Sequence, residues 1–201
     1  DNLIKLERIP VPRGYQNLEA FNRVLGEALK HDRSLVFEPE GHTTRYGQQT
    51  SNLAMNGALP IQQLNAFFVA AAERRKEEVR KRSTHPFDAH PPRVFRLYSW
   101  AVIMHENGHQ TPHIHARGWL SGVYYVEVPD EVSRDDPERN GWIEFGRSEE
   151  RWYRPKTVVP VRQIFPEPGL LVTFPSYFWH NTRPLRSKGR RISFAFDIIP
   201  V

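Results

Sequence analysis

Residues 111–125 read Thr-Pro-His-Ile-His-Ala-Arg-Gly-Trp-Leu-Ser-Gly-Val-Tyr-Tyr. Successive side chains alternate across a strand, so His113 and His115 point to the same side and can grip one ion from a rigid edge. A third imidazole, His180, lies far along the chain. It would close three positions on one side of a metal and leave the others open for chemistry. With nine histidines in the chain, an accidental His-x-His pair is common. The weight therefore rests on companions: the run Pro168 to Ser176 leading to Trp179-His180, then Arg190-Arg191-Ile192-Ser193-Phe194.

Around this region the chain reads as β. From about residue 93, short β-branched and aromatic runs alternate with Pro, Gly, Asn and Asp: Val94 to Met104, Leu120 to Val128, Trp142 to Phe145, Thr157 to Ile164, Leu170 to Phe174 and Arg191 to Ile199. That density predicts a sandwich or jelly roll rather than alternating β and α units. Residues 129–141 read as an exposed excursion. Upstream, Leu18, Phe21, Leu25 and Leu29 mark an amphipathic helix over 17–30, and Ile61, Leu64, Phe67, Phe68 and Ala71 mark another over 60–82. The polar stretch 40–58 between them reads as a loop with short strands. One domain, 1–201, is expected, with 1–92 packing on a β core over 93–201.

Composition narrows the classes. The 201 residues, 39% of them hydrophobic, suffice for a substantial core, and the formal charge of +5 favours acidic partners only weakly. The basic run Arg74 to Arg82 contains two glutamates and ends a helical pattern, which reads as a solvated helix face rather than a nucleic-acid patch. With no cysteine, thiolate zinc sites, iron–sulfur clusters and disulfides are excluded. No apolar run reaches the roughly 18 residues that span a bilayer, and no leader pattern opens the sequence. A cytoplasmic protein without nucleic-acid or membrane partners is expected. The chain opens on Asp1 rather than Met, so further domains of a longer polypeptide stay open.

A competing signature overlaps the first. Residues 105–109 read His-Glu-Asn-Gly-His, the pattern in which two histidines one helical turn apart bind zinc and the glutamate activates water. His115 falls at the third-ligand position of the extended form of that pattern. Pro112, however, stands where that form wants glycine, and both methionines, Met55 and Met104, precede the third ligand. The preceding run is more strand-like than helical. A zinc hydrolase using His105, Glu106 and His109 is the alternative enzyme reading, and a jelly-roll module binding a sugar or peptide is the non-catalytic one.

On His113-Ile114-His115, Leu120 to Tyr125, His180 and Arg191-Ile192-Ser193, the sequence resembles the iron and 2-oxoglutarate-dependent oxygenases of the double-stranded β-helix fold. The likeness is greatest to a bacterial group carrying His-x-His followed by Leu-Ser-Gly-Val-Tyr-Tyr. It runs from about Trp100 to Asp197, with weaker similarity around Thr43 to Leu53. The resemblance implies a jelly-roll, cupin-like core with N-terminal helices and an Fe(II) site of His113, His115 and His180. It also implies 2-oxoglutarate as cosubstrate, dioxygen as oxidant, and no catalytic residue beyond the metal centre. Arg191 and Ser193 would clamp the far carboxylate, a planar guanidinium offering two parallel donors and a hydroxyl a third. Tyr125 would join them, with Ser121 and Val123 also inward and Tyr124 outward. Hydroxylation of an amino-acid side chain or small metabolite is the implied outcome, on a small-molecule or peptide substrate. Arg45, Gln48, Gln49, Asn52 and Trp179 are candidates for the substrate entrance, and His105 and His109 for the pocket rim. The unpaired edges of an open jelly roll are compatible with a homodimer.

The chain departs from the wider superfamily at His115, where an Asp or Glu ligand is usual. Either His115 ligates and the cosubstrate balances the charge, or it turns away and leaves a position open. Ordinary packing also offers second roles: core histidines at His113 and His180, an Arg191–Asp197 ion pair with Arg190 as the clamp instead, and strand packing for Tyr125 and Ser193. His31, His42, His85 and His90 carry no signal.

Overall fold

The computed structural model describes residues 3–80, 85, 87, 91–149 and 156–201. Lys81 and Arg82 at the end of the basic run, the last two positions of the second expected helix, and His90 lie outside the described residues.

Among the described residues, ten strands and two helices follow in the order β1 (Lys5–Arg8), α1 (Leu18–Lys30), β2 (Val36–Phe37), β3 (Thr44–Gln49), α2 (Leu59–Arg80), β4 (Phe95–Gln110), β5 (Leu120–Glu127), β6 (Ile143–Phe145), β7 (Arg162–Ile164), β8 (Leu170–Pro175), β9 (His180–Thr182) and β10 (Arg191–Pro200). Seven strands form an antiparallel sheet in the order β1-β8-β5-β10-β4-β3-β2, faced by a three-stranded sheet β7-β6-β9. This is the mainly β, double-stranded β-helix architecture expected. No helix among the described residues is long and apolar enough to cross a membrane.

Strand alternation divides the core in two. Along β10, Ile192, Phe194, Phe196 and Ile198 pack beneath the helices with Leu120 and Tyr124 of β5 and Ala101 and Ile103 of β4. The helices meet them with the faces read from sequence: Phe21, Leu25 and Leu29 of α1, capped by Asn17 accepting from the Ala20 amide, and Ile61, Leu64 and Phe68 of α2. The Phe68 ring stacks on Phe196 with centroids 4.2 Å apart. The opposite sheet face turns toward the small sheet through Val172 and Phe174 on one flank and Trp100, Val102 and Met104 on the other. Between these flanks lies the site.

Four details differ from the sequence reading. The first 92 residues contribute β1, β2 and β3 to the large sheet as well as packing on it, at both of its edges. The expected strand over 157–164 shortens to Arg162–Ile164. Tyr124 does point away from the site, but toward α1 rather than solvent, its hydroxyl donating to Asn22 at 2.7 Å. The basic run is not simply a solvated face: Arg75 and Lys76 are buried, with their charged ends over the rings of Phe87 and Phe95 and paired with Glu78 and Glu73.

Candidate metal centre and its chamber

His113, just ahead of β5, bridges to His180 at the start of β9. Each residue's amide donates to the other's carbonyl, at 2.9 and 3.0 Å, which sets the two side chains next to each other on the same side. Their ring centroids are 4.2 Å apart, and the ring of His115 lies 5.1 and 5.0 Å from them. One ligand nitrogen from each of the three lies within 4.8 Å of the others, the sole such group of possible ligands among the described residues. A metal about 2.1 Å from each nitrogen fits this triangle after a small inward turn of the rings.

The outer nitrogens are already engaged. Nδ1 of His113 donates to the Thr111 carbonyl at 2.7 Å, and Nδ1 of His180 to the Phe178 carbonyl at 2.9 Å. Nδ1 of His115 donates to Asp197 Oδ1 at 2.5 Å. With Nδ1 carrying the proton, Nε2 of each ring holds a bare lone pair. Burial, aided by neighbouring His115, pushes His113 down to about 4. Burial and the other two imidazoles hold His180 well below its ordinary value. Both rings are therefore neutral near pH 7, as metal ligation requires.

Arg191, Ser193 and Tyr125 line the same inner chamber as the three imidazoles. Arg191 is 1% exposed, and its Nη1 donates to the Gly141 carbonyl while Nε has no partner among the described residues. No acidic group lines the chamber among the described residues, and Asp197 binds His115 instead of Arg191. Arg190, the other candidate clamp, is exposed and paired with Glu127 at 3.1 Å. The Tyr125 hydroxyl is likewise buried without a partner among the described residues, and burial raises it to about 12. The Ser193 hydroxyl donates to the Val102 carbonyl across the strand at a long 3.5 Å. A buried guanidinium without a counter-ion, beside an unpaired phenol, is costly unless an anion completes it.

The entrance candidates separate. Gln49 lines an outer cavity of about 280 Å³, its side chain held by the Thr44 hydroxyl and the His42 ring. Arg45 and Trp179 border the neighbouring cleft with His113 and Ile114. Asn52 is not among the lining residues; its Oδ1 accepts from the amides of Ser99 and Ala54 and fixes the loop. Gln48 meets His105 at 3.2 Å outside the cavity. Tyr98, Trp100 and Asp197, which border the outer cavity, were not assigned to it from sequence, although alternation from Val102 and from Ser193 places all three on the inner face.

The zinc-peptidase reading fails on geometry. Residues 105–109 lie within strand β4, bulged where Asn107 takes a φ of 65°, and not on a helix. His105 and His109 are not on the rim of the chamber, and Nδ1 of His109 donates to the Asn107 carbonyl.

A sequence model of the family described as "Putative 2OG-Fe(II) oxygenase" matches residues 98–197, the segment holding all three imidazoles and Arg191. The chain belongs to this family, whose members are enzymes using Fe(II), 2-oxoglutarate and dioxygen. Among solved structures, it is similar to a prolyl-4-hydroxylase of Pseudomonas putida, at 13% identity and TM-score 0.65, over 98% of this chain and 92% of that one. A prolyl hydroxylase of Trichoplax adhaerens, in complex with a hypoxia inducible factor peptide fragment, matches at 12% identity and TM-score 0.66, over 98% and 84%. HygX of Streptomyces hygroscopicus, with nickel and 2-oxoglutarate bound, matches at 13% identity and TM-score 0.57, over 99% and 83%. At these identities the likeness is one of fold. No curated protein sequence matches the chain significantly.

Proposed function

We propose that this oxygenase hydroxylates an amino-acid side chain or a small metabolite at a ferrous ion held by Nε2 of His113, His115 and His180, with Arg191, Tyr125 and Ser193 binding the far carboxylate of 2-oxoglutarate. The observation that carries the reading is Arg191: a guanidinium buried with no acidic partner among the described residues, sharing a chamber with three convergent imidazoles. A carboxylate placed there receives charge-assisted bonds from Arg191 and another from the neutral Tyr125 hydroxyl. When bound, iron supplies the redox chemistry that turns dioxygen and 2-oxoglutarate into an oxidising centre.

The protein's own part is orientation and exclusion. The backbone carbonyls of Thr111 and Phe178 fix the tautomers of two ligand rings. Phe174, Ile143, Val102 and Val123 wall the chamber against water. The chamber measures about 30 Å³, so side chains along it turn aside as a five-carbon diacid enters, as is common on ligand binding. Substrate approaches by the outer cavity, where Tyr98 and Trp100 present rings and Gln49 and Arg117 present polar groups. The test is succinate release from 2-oxoglutarate under aerobic Fe(II) in the wild type and in Arg191→Ala. Loss of a buried charged partner costs about 2 kcal/mol or more, roughly 30-fold in 2-oxoglutarate affinity. Equal cosubstrate affinity in the two proteins would refute the clamp.

A further inference from the structure

The three imidazoles do not have equivalent partners. His113 and His180 donate Nδ1 to backbone carbonyls, whereas His115 donates to a carboxylate. We infer that Asp197 is a positioning residue of the metal centre. By accepting the Nδ1 proton of His115 it holds that ring with Nε2 toward the ion, and it gives the site a negative charge that three neutral imidazoles lack. The inference rests on the reading of His115 as a ligand.

Asp197 is built into place. It lies directly across from Ser121 in the β10–β5 register, and the Ser121 hydroxyl donates to the same Oδ1 at 2.5 Å. Ser121 Oγ stands 2.7 Å from Ser176 Oγ. Having given its single proton to Asp197, Ser121 accepts from Ser176, so a chain of two hydroxyls ends on the carboxylate. Both serines are fully buried. The His115 amide also donates to the Ser176 carbonyl at 2.8 Å, tying the ring's backbone to the same turn. Gly118 keeps that turn open, because a Cβ there would stand 2.4 Å from Ser176 Oγ.

The electrostatic logic follows. A divalent ion among neutral ligands keeps its whole charge, and a carboxylate bonded to a ligand imidazole raises the basicity of the ring and offsets part of that charge. Among the described residues Asp197 is the only acid bonded to any of the three rings. A surface ion pair would need neither two buried hydroxyls nor the ligand's far nitrogen.

Co(II) titration of the metal-free protein, read by its ligand-field absorption, tests this in four proteins: wild type, Asp197→Asn, His115→Ala and the double variant. Asp197→Asn weakens Co(II) binding about 10- to 100-fold and shifts the absorption bands. In the His115→Ala background the same substitution changes affinity less than about threefold, because the two residues act as one unit. Wild-type affinity in Asp197→Asn overturns the inference and leaves the ligand reading intact, as does an equal loss in both backgrounds. Undiminished affinity in His115→Ala overturns the ligand reading itself, and the inference with it. A measurement on the wild type needs no variant to fold: long-range proton–nitrogen correlation spectra of the metal-free protein show His115 as the Nδ1–H tautomer. An Nε2–H tautomer contradicts the inference.

Discussion

His113 and His180, 67 positions apart in the sequence, exchange both backbone hydrogen bonds across an antiparallel bridge. The pairing fixes two imidazoles 4.2 Å apart before any ion arrives. Such a site is preorganised, so removing either ring removes a proposed ligand without disturbing the bridge, which is made by backbone alone. His113→Ala and His180→Ala each lose Co(II) affinity by more than about 100-fold, beyond the range for an outer hydrogen-bond partner. Calorimetric titration beside unchanged far-ultraviolet circular dichroism checks this.

Arg191 predicts a trade between stability and function. With no acid beside it among the described residues, its buried charge burdens the ligand-free fold, and burial lowers its tendency to stay protonated. Arg191→Met fills similar space without the charge. Its ligand-free form is as stable as the wild type or more so, by up to about 3 kcal/mol in urea unfolding, while 2-oxoglutarate affinity falls about 30-fold or more. A large loss of stability would place the guanidinium in a structural role instead.

The phenols of Tyr125 and Tyr124 are raised by burial, Tyr125 to about 12 from an ordinary 10. An acid with a raised folded-state value keeps its proton more tightly in the fold. Its contribution to stability is full below pH 10 and is lost as pH rises through about 12. Denaturation midpoints therefore fall above pH 10, and less steeply in Tyr125→Phe. Near neutral pH the Tyr125 hydroxyl stays a neutral donor, and the same variant weakens 2-oxoglutarate binding about 2- to 10-fold.

Gly122 marks where β5 passes beneath Phe196. A Cβ there would lie 2.4 Å from the ring and 2.8 Å from the Val172 carbonyl, and the carbonyl belongs to a paired strand that cannot retreat. Gly122→Ala destabilises the protein by about 2 kcal/mol, read as a lower urea midpoint with unchanged slope.

The resemblance to oxygenases pointed to Tyr125, Ser193 and Arg191, and period-two alternation agrees with it: the three line one chamber, with Ile192 and Phe194 turned to the helices. Both helices were legible because Phe21, Leu25 and Leu29, and Ile61, Leu64 and Phe68, repeat at helical spacing. Pairing partners were not, since nothing local says that Lys5 lies opposite Thr173 or that His115 meets Asp197. Those contacts are set by three-dimensional closure of the sheets. The peptidase-like His-Glu-Asn-Gly-His motif, kept only as an alternative, does not apply: its spacing has meaning only on a helix, and the β-rich run before it continues as strand to Gln110.

The most direct measurement is an anaerobic crystal structure with Mn(II) in place of iron and 2-oxoglutarate added. The account predicts one ion bonded to Nε2 of His113, His115 and His180, with the far carboxylate of the diacid against Arg191 and Tyr125. An ion bound elsewhere, or an Arg191 still bonded only to Gly141 with the diacid absent from its chamber, would contradict it.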